Sequence, residues 1–123
     1  MTIPPIFDRV RKLCLSFPET SERLAHGSPS FYVREKRNFL VFSVNHHDDG
    51  NIAFWCAAPP GDQAALVEAD PDTYFVPPYV GHRGWVGVRV DQGAPWEEIA
   101  KVVTDAYRVR APRTVRTSAG IDI

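Results

Sequence analysis

Apolar side chains recur at three- and four-residue spacing near both ends of this chain and at two-residue spacing between. Ile6, Phe7, Val10, Leu13, Cys14 and Phe17 form one stripe. Trp96, Ile99, Ala100, Val103 and Tyr107 form the other. Each stripe predicts an amphipathic helix. Pro4 and Pro5 open the first, which runs to about Ser16, and Pro18 closes it. Pro95 opens the last, which Pro112 ends by about Arg110. Proline suits a first helical turn, where its missing donor has no partner to lose.

Between the stripes the period falls to that of a strand. Ser30–Arg34, Phe39–Asn45, Ile52–Ala57 and Gly84–Val90 read as strands. The polar breaks His26-Gly27-Ser28-Pro29, Glu35-Lys36-Arg37-Asn38 and Asp49-Gly50 separate them. Pro59-Pro60-Gly61-Asp62 opens a short helix that Pro71 stops, and 71–75 reads as a turn. A helix, a meander of strands, a helix, a strand and a helix make an α+β domain. The expected architecture is an antiparallel sheet with the N- and C-terminal helices packed on one face. The other face should be partly open to solvent, with Tyr32, Trp55, Trp85 and Arg89 near it.

The 123 residues suit one domain, expected over 1–112 with a loose tail at 113–123. The formal charge of -1 gives no long-range pull on nucleic acid. Its distribution is uneven. His46 to Val80 holds no Lys or Arg, whereas the first 37 residues hold seven basic against four acidic side chains. Cys14 and Cys56 sit in apolar runs, as buried free thiols of a reducing compartment do. No apolar run approaches the ~18 residues of a membrane span. A cytoplasmic monomer or weak homodimer is the expectation, with no membrane partner.

The stretch PPYVGHRGWVGVRV, Pro77 to Val90, concentrates the chemistry. A stiff proline loop leads into Tyr79, His82, Arg83 and Trp85, set around Gly81 and Gly84. Val86, Val88 and Val90 then alternate with Gly87 and Arg89. His26, Tyr79 and His82 are candidates for a small-ligand pocket, with Arg83 able to hold an anion through its forked donors. Arg34, Lys36, Arg37, Arg83, Trp85 and Arg89 are candidates for nucleic-acid contact, since aromatic rings interleaved with arginine stack on unpaired bases. Arg108, Arg110, Arg113 and Arg116 could add phosphate contacts.

Other chemistries lack their motifs. Ser28 and Ser30 have no nucleophile elbow, and GHRGWVG has no phosphate-loop spacing. His46-His47-Asp48-Asp49 reads as a polar hairpin loop, because adjacent residues of an extended segment point to opposite faces. No catalytic residue, metal or cofactor is expected, and a non-enzymatic domain is the leading reading.

The chain resembles the MmcQ/YjbR family of small bacterial proteins. The matching motifs are LCLSFPETSE (Leu13 to Glu22), HGSPSFYV (His26 to Val33), the hairpin into FLVF, DPDTYFVPPYVGHRGWVGVRV, and PWEEIAKVVTDAYRVRAP (Pro95 to Pro112). They span about residues 5 to 112. The resemblance implies a frataxin-like (CyaY-like) sandwich of the double-wing type. Members commonly carry a DNA-binding label without an established reaction, so DNA is the partner it implies. Some carry a lysine and then His-Trp-Asn where this chain has His82-Arg83-Gly84-Trp85-Val86. The tryptophan matches at Trp85, and Val86 replaces the asparagine. Iron binding does not follow from the fold, and the first helix, with Asp8 alone against three basic residues, lacks an acidic ridge. Two readings compete with DNA binding: a ligand-binding protein or enzyme using the face around His82, Arg83 and Trp85, and a protein–protein module using the same aromatics.

Overall fold

A computed structural model describes residues 5–44 and 50–115. Its elements are α1 (Pro5–Ser16), β1 (Thr20–Ala25), β2 (Ser28–Val33), β3 (Arg37–Val44), β4 (Ile52–Cys56), α2 (Asp62–Ala69), β5 (Tyr74–Phe75), β6 (Val86–Arg89) and α3 (Trp96–Arg110). Among the described residues the strands form one antiparallel sheet in the order β1-β2-β3-β4-β6-β5. The first four make a meander. The chain then crosses through α2 to the far edge, and β6 returns between β4 and β5. The α+β class read from the periodicity is the architecture found.

Strand alternation sorts the sheet into two faces. Leu40 lies opposite Phe31 and Cys56, and Cys56 lies opposite Val86. Phe54 lies between Phe42 and Val88, and Val88 pairs in turn with Tyr74. These side chains are fully or almost fully buried against the helices. Phe7 of α1 meets Phe42 at 4.5 Å between ring centroids, and Tyr107 of α3 receives Phe39 edge-on at 5.7 Å. Offset and edge-on contacts of this kind add to area burial. The stripes at the two ends of the sequence therefore converge on one core.

Polar ties hold the helices in register. Arg11 reaches both carboxylate oxygens of Glu22 on β1, at 2.8 and 3.0 Å. The Tyr107 hydroxyl donates to the Pro18 carbonyl at 2.9 Å, and the Tyr74 hydroxyl to Glu98 at 2.8 Å. Burial raises the phenol pKa of both tyrosines. Cys14 and Cys56 are buried free thiols in the same layer, and desolvation pushes both upward.

Local chemistry sets the turns. His26 and Gly27 form the two-residue turn from β1 to β2 with φ of 52° and 81°. Two left-handed residues give the twist that joins antiparallel strands tightly. Phe39 is an extra residue in β3, because Phe31 faces Leu40 while Tyr32 faces Asn38. The Asn38 amide donates to the carbonyls of Phe31 and Leu40, at 2.9 and 3.1 Å. The Asn38 side chain thus bridges the two strands at the bulge.

β1 begins at Thr20, within a segment that is polar up to Arg23. Val115, three residues past Pro112, is buried, and its backbone N–H donates to Pro112 O at 3.0 Å. Two expectations need correction. Residues 71–75 are not only a turn, since Tyr74 and Phe75 pair with β6; a two-residue edge strand has too little pattern to read. The face expected to be open is largely covered, with Tyr32, Trp55 and Trp85 at 8%, 7% and 3% exposure. The histidine-aspartate segment 46–49 and Arg116 lie outside the described residues.

Candidate functional site

The face away from α1 and α3 mixes large and small side chains. One row across it reads Ser30, Val41, Trp55, Gly87, Phe75, and a neighbouring row holds Ser43, Ala53 and Arg89. Phe75 lies flat over Gly87, where a Cβ would stand 2.3 Å from its ring. The Arg89 guanidinium covers Phe75 at 4.5 Å, and Arg23 covers Tyr32 at 3.7 Å. On the β2–β3 side of Trp55 the residues are small. A hollow of about 630 Å³ forms there. Ser30, Val41 and Ser43 line it from the sheet, Trp55 and Trp85 from one side, and Ala25, His26 and Ser28 from the β1–β2 hairpin.

The loop before β6 supplies the remaining wall, Tyr79 and Val80. The Val80 amide donates to Pro78 O at 2.7 Å, closing a γ-turn centred on Tyr79 with φ of 66°. That is the strained, positive-φ form of the turn. Tyr79 is 67% exposed, and its ring lies 6.5 Å from that of Trp55, tilted by 49°. Gln63 of α2 fixes the loop by donating to Gly81 O at 2.8 Å and to Trp85 O at 2.6 Å. Two of the five non-glycine residues with left-handed backbone among the described residues, His26 and Tyr79, thus border one hollow. Strain of this kind persists where the surrounding structure enforces it, often at binding sites.

The polar groups of the hollow are few. Ser30 Oγ donates to Ser28 O at 3.2 Å. Ser43 Oγ is buried and has no hydrogen-bond partner among the described residues. Asn38 lines the end nearest Trp85. No Asp, Glu, Lys or Arg appears among the described lining residues. A second hollow of about 250 Å³ lies between α2 and α3 beside Asp62, Glu98, Lys101 and Asp105. Asp105 there is paired with Lys101 at 2.8 Å and with Arg108 at 3.6 Å, and Glu98 accepts from the Tyr74 hydroxyl.

The candidate residues separate into groups. His26, Tyr79 and Trp85 share the larger hollow, whereas His82 is exposed on a 3₁₀ turn, Gly81–Arg83, and does not line it. Arg34 is paired with Glu19 at 3.0 Å. Arg89 lies at the opposite end of β6 from Trp85. It is held there by Asn51 at 2.8 Å and by the carbonyls of Pro71 and Asp72 at 3.2 Å. Its guanidinium braces β5 and is not part of a shared basic surface. Trp85 is a wall residue, not a solvent-facing platform. Lys36 is exposed beside Arg37.

Arg37, Arg83 and Arg110 do gather. Arg37 donates to Arg110 O at 3.3 Å, and Arg110 Nε donates to Asn38 O at 3.0 Å. The Arg83 guanidinium lies 5.3 Å from the Trp85 ring. Burial, and then repulsion from Arg83 and Arg37, lowers the Arg110 pKa. None of the three forms an ion pair among the described residues. The sequence reading did not place Ser30, Asn38, Val41 and Ser43 in a site. Ser30 and Ser43 at alternate positions of apolar strands were the available signal.

A family model described as YjbR matches residues 15–109. The chain belongs to the YjbR family. Among solved structures, the Deinococcus radiodurans protein DR2400, titled a DUF419 domain, superposes with a TM-score of 0.76. The two are 18% identical, and the likeness covers 99% of this chain and 96% of that one. At that identity it shows a shared fold. No curated protein matches the sequence. Among the described residues, no helix of this YjbR protein is long and apolar enough to cross a membrane.

Proposed function

We propose that this YjbR-family domain binds a small molecule in the hollow on its loop-covered face. The carrying observation is the concavity itself: about 630 Å³, with Trp55, Trp85 and Tyr79 around a few polar groups. Small-ligand sites typically fall between about 300 and 1,000 Å³ and combine apolar walls with sparse polar groups. The strained γ-turn at Tyr79 and the buried Ser43 hydroxyl, without a hydrogen-bond partner among the described residues, support the reading. No nucleophile or acid–base pair is assigned to the hollow, so binding is proposed without a reaction. A thermal-shift screen of aromatic small molecules tests it, with Val41→Trp as the control that fills the hollow. Hits that stabilise the parent and not a folded Val41→Trp variant support the proposal. Hits unaffected by that substitution count against it.

A second reading, nucleic-acid binding, is favoured by one observation. Arg37, Arg83 and Arg110 share one end of the sheet without a carboxylate partner among the described residues, and Lys36 lies beside them. Such a group would contact phosphates without reading sequence. Fluorescence anisotropy with duplex and single-stranded DNA at two salt concentrations tests it. Binding that weakens as salt rises supports the reading. No binding at low salt, or affinity indifferent to salt, removes it.

A further inference from the structure

We infer that the hollow takes a planar aromatic ring bearing an anionic group, with the ring near Trp55 and Trp85 and the anion toward Arg83 and Arg110. The inference rests on the ligand-binding proposal above and adds the chemical class of the ligand.

The ring follows from the walls. Trp55, Trp85 and Tyr79 border one space. Aromatic faces favour offset or edge-on partners over aliphatic chains of equal area. From the sheet, the short side chains of Ser30, Val41 and Ser43 line that space, together with Phe42. Ser43 offers a buried hydroxyl that no described group engages. A polar substituent on a ring would satisfy it.

The sign of the charge follows from what borders the hollow. No described carboxylate lines it, so a cation would find no counter-ion there. Two lining residues instead lead to guanidinium groups. Asn38 accepts from Arg110 through its carbonyl, and Trp85 has Arg83 beside its ring. Arg37 stands behind them, donating to Arg110 O. Three positive groups without ion-pair partners among the described residues repel one another, and an anion relieves that repulsion. A guanidinium fork also matches a carboxylate or phosphate geometrically. The two halves of the site meet at Trp85, which explains why one residue touches both the hollow and an arginine.

Calorimetric titration of the full chain with three probes tests the class: 2-naphthyl phosphate, neutral 2-naphthol and inorganic phosphate. The phosphate ester should bind about tenfold tighter than 2-naphthol, the usual worth of a charge-assisted contact. Inorganic phosphate alone should bind more weakly than the ester. Arg83→Gln, at an exposed position, should remove most of the difference between the ester and 2-naphthol. Equal affinity for ester and naphthol overturns the inference, as does a preference that survives Arg83→Gln and Arg37→Gln. Phosphate binding as tightly as its ester also overturns it, because the hollow would then contribute nothing. In those cases a naphthol signal blocked by Val41→Trp leaves the ligand-binding proposal standing. Absence of any naphthyl binding removes both.

Discussion

The two faces of the sheet are built by different rules. Under α1 and α3, Phe31, Leu40, Phe54, Cys56, Val86 and Val88 are all at 0% exposure. Helices bring long apolar stripes, so this face can be filled with uniformly large side chains. Among the described residues, the reverse face is covered by its own arginines and the loop before β6. There Arg23 and Arg89 lie over Tyr32 and Phe75, while Tyr79 and Val80 reach across to Trp55. Coverage by single side chains is uneven, and where the sheet offers serine and valine a hollow remains. A close-packed layer stabilises, and an imperfectly packed one leaves room for a ligand.

The contrast is most sharply tested by truncation. Phe54→Ala should cost about 3–5 kcal/mol, since it opens a cavity in the close-packed layer. Val41→Ala, half-buried on the other face, should cost under about 1.5 kcal/mol. Equal urea-unfolding penalties would mean that the two faces are packed alike. Gly87→Ala should cost about 1–3 kcal/mol, because its Cβ would enter the Phe75 ring. Partial recovery on adding Phe75→Leu would locate the clash, and an undisturbed Gly87→Ala protein would show Phe75 elsewhere.

The thiols sharpen the comparison through pH. Cys14 and Cys56 belong to the helix side, and burial raises both above their unfolded value near 8.5. Their neutral forms stabilise the fold fully below that value. As pH rises past it the unfolded chain ionises first, and each thiol should then remove up to about 1.4 kcal/mol of stability per pH unit. Unfolding midpoints between pH 7 and 9.5 should show this loss, and Cys56→Ala should lessen the slope. A slope untouched by that change would place the titration elsewhere. The smallest effect concerns the loop. Tyr79→Gly should relieve positive-φ strain and raise stability by up to about 1 kcal/mol. It should also weaken aromatic-probe binding. A loss of stability would show that the Tyr79 ring holds the loop down.

How much could be read in advance depended on how local the cause was. The stripe from Phe7 to Cys14, the His26-Gly27 turn and the alternation of Val86 and Val88 each rest on neighbours within a few residues. Arg89 was legible as a residue of the reverse face, but not as a brace, because its acceptors lie 17 to 38 positions away. The face was expected open because nothing in Pro77–Val80 announces that it folds back across the sheet. His82 and Arg83 are adjacent in sequence, yet neither lines the hollow, and only Arg83 meets Trp85.

While the order of the longer motifs carried the resemblance to the family, periodicity and punctuation determined the type of the main elements and the layer that the terminal helices make. Those depend on the hydrophobic effect acting on regularly spaced side chains, which a linear pattern records. Tertiary structure alone decided which small residues come to lie beside Trp55. It also decided which arginines are tied up and which remain grouped at the Trp85 end. Those outcomes depend on strand order and on where a loop lands. The contacts that settle them join residues such as Arg110 and Asn38, 72 positions apart.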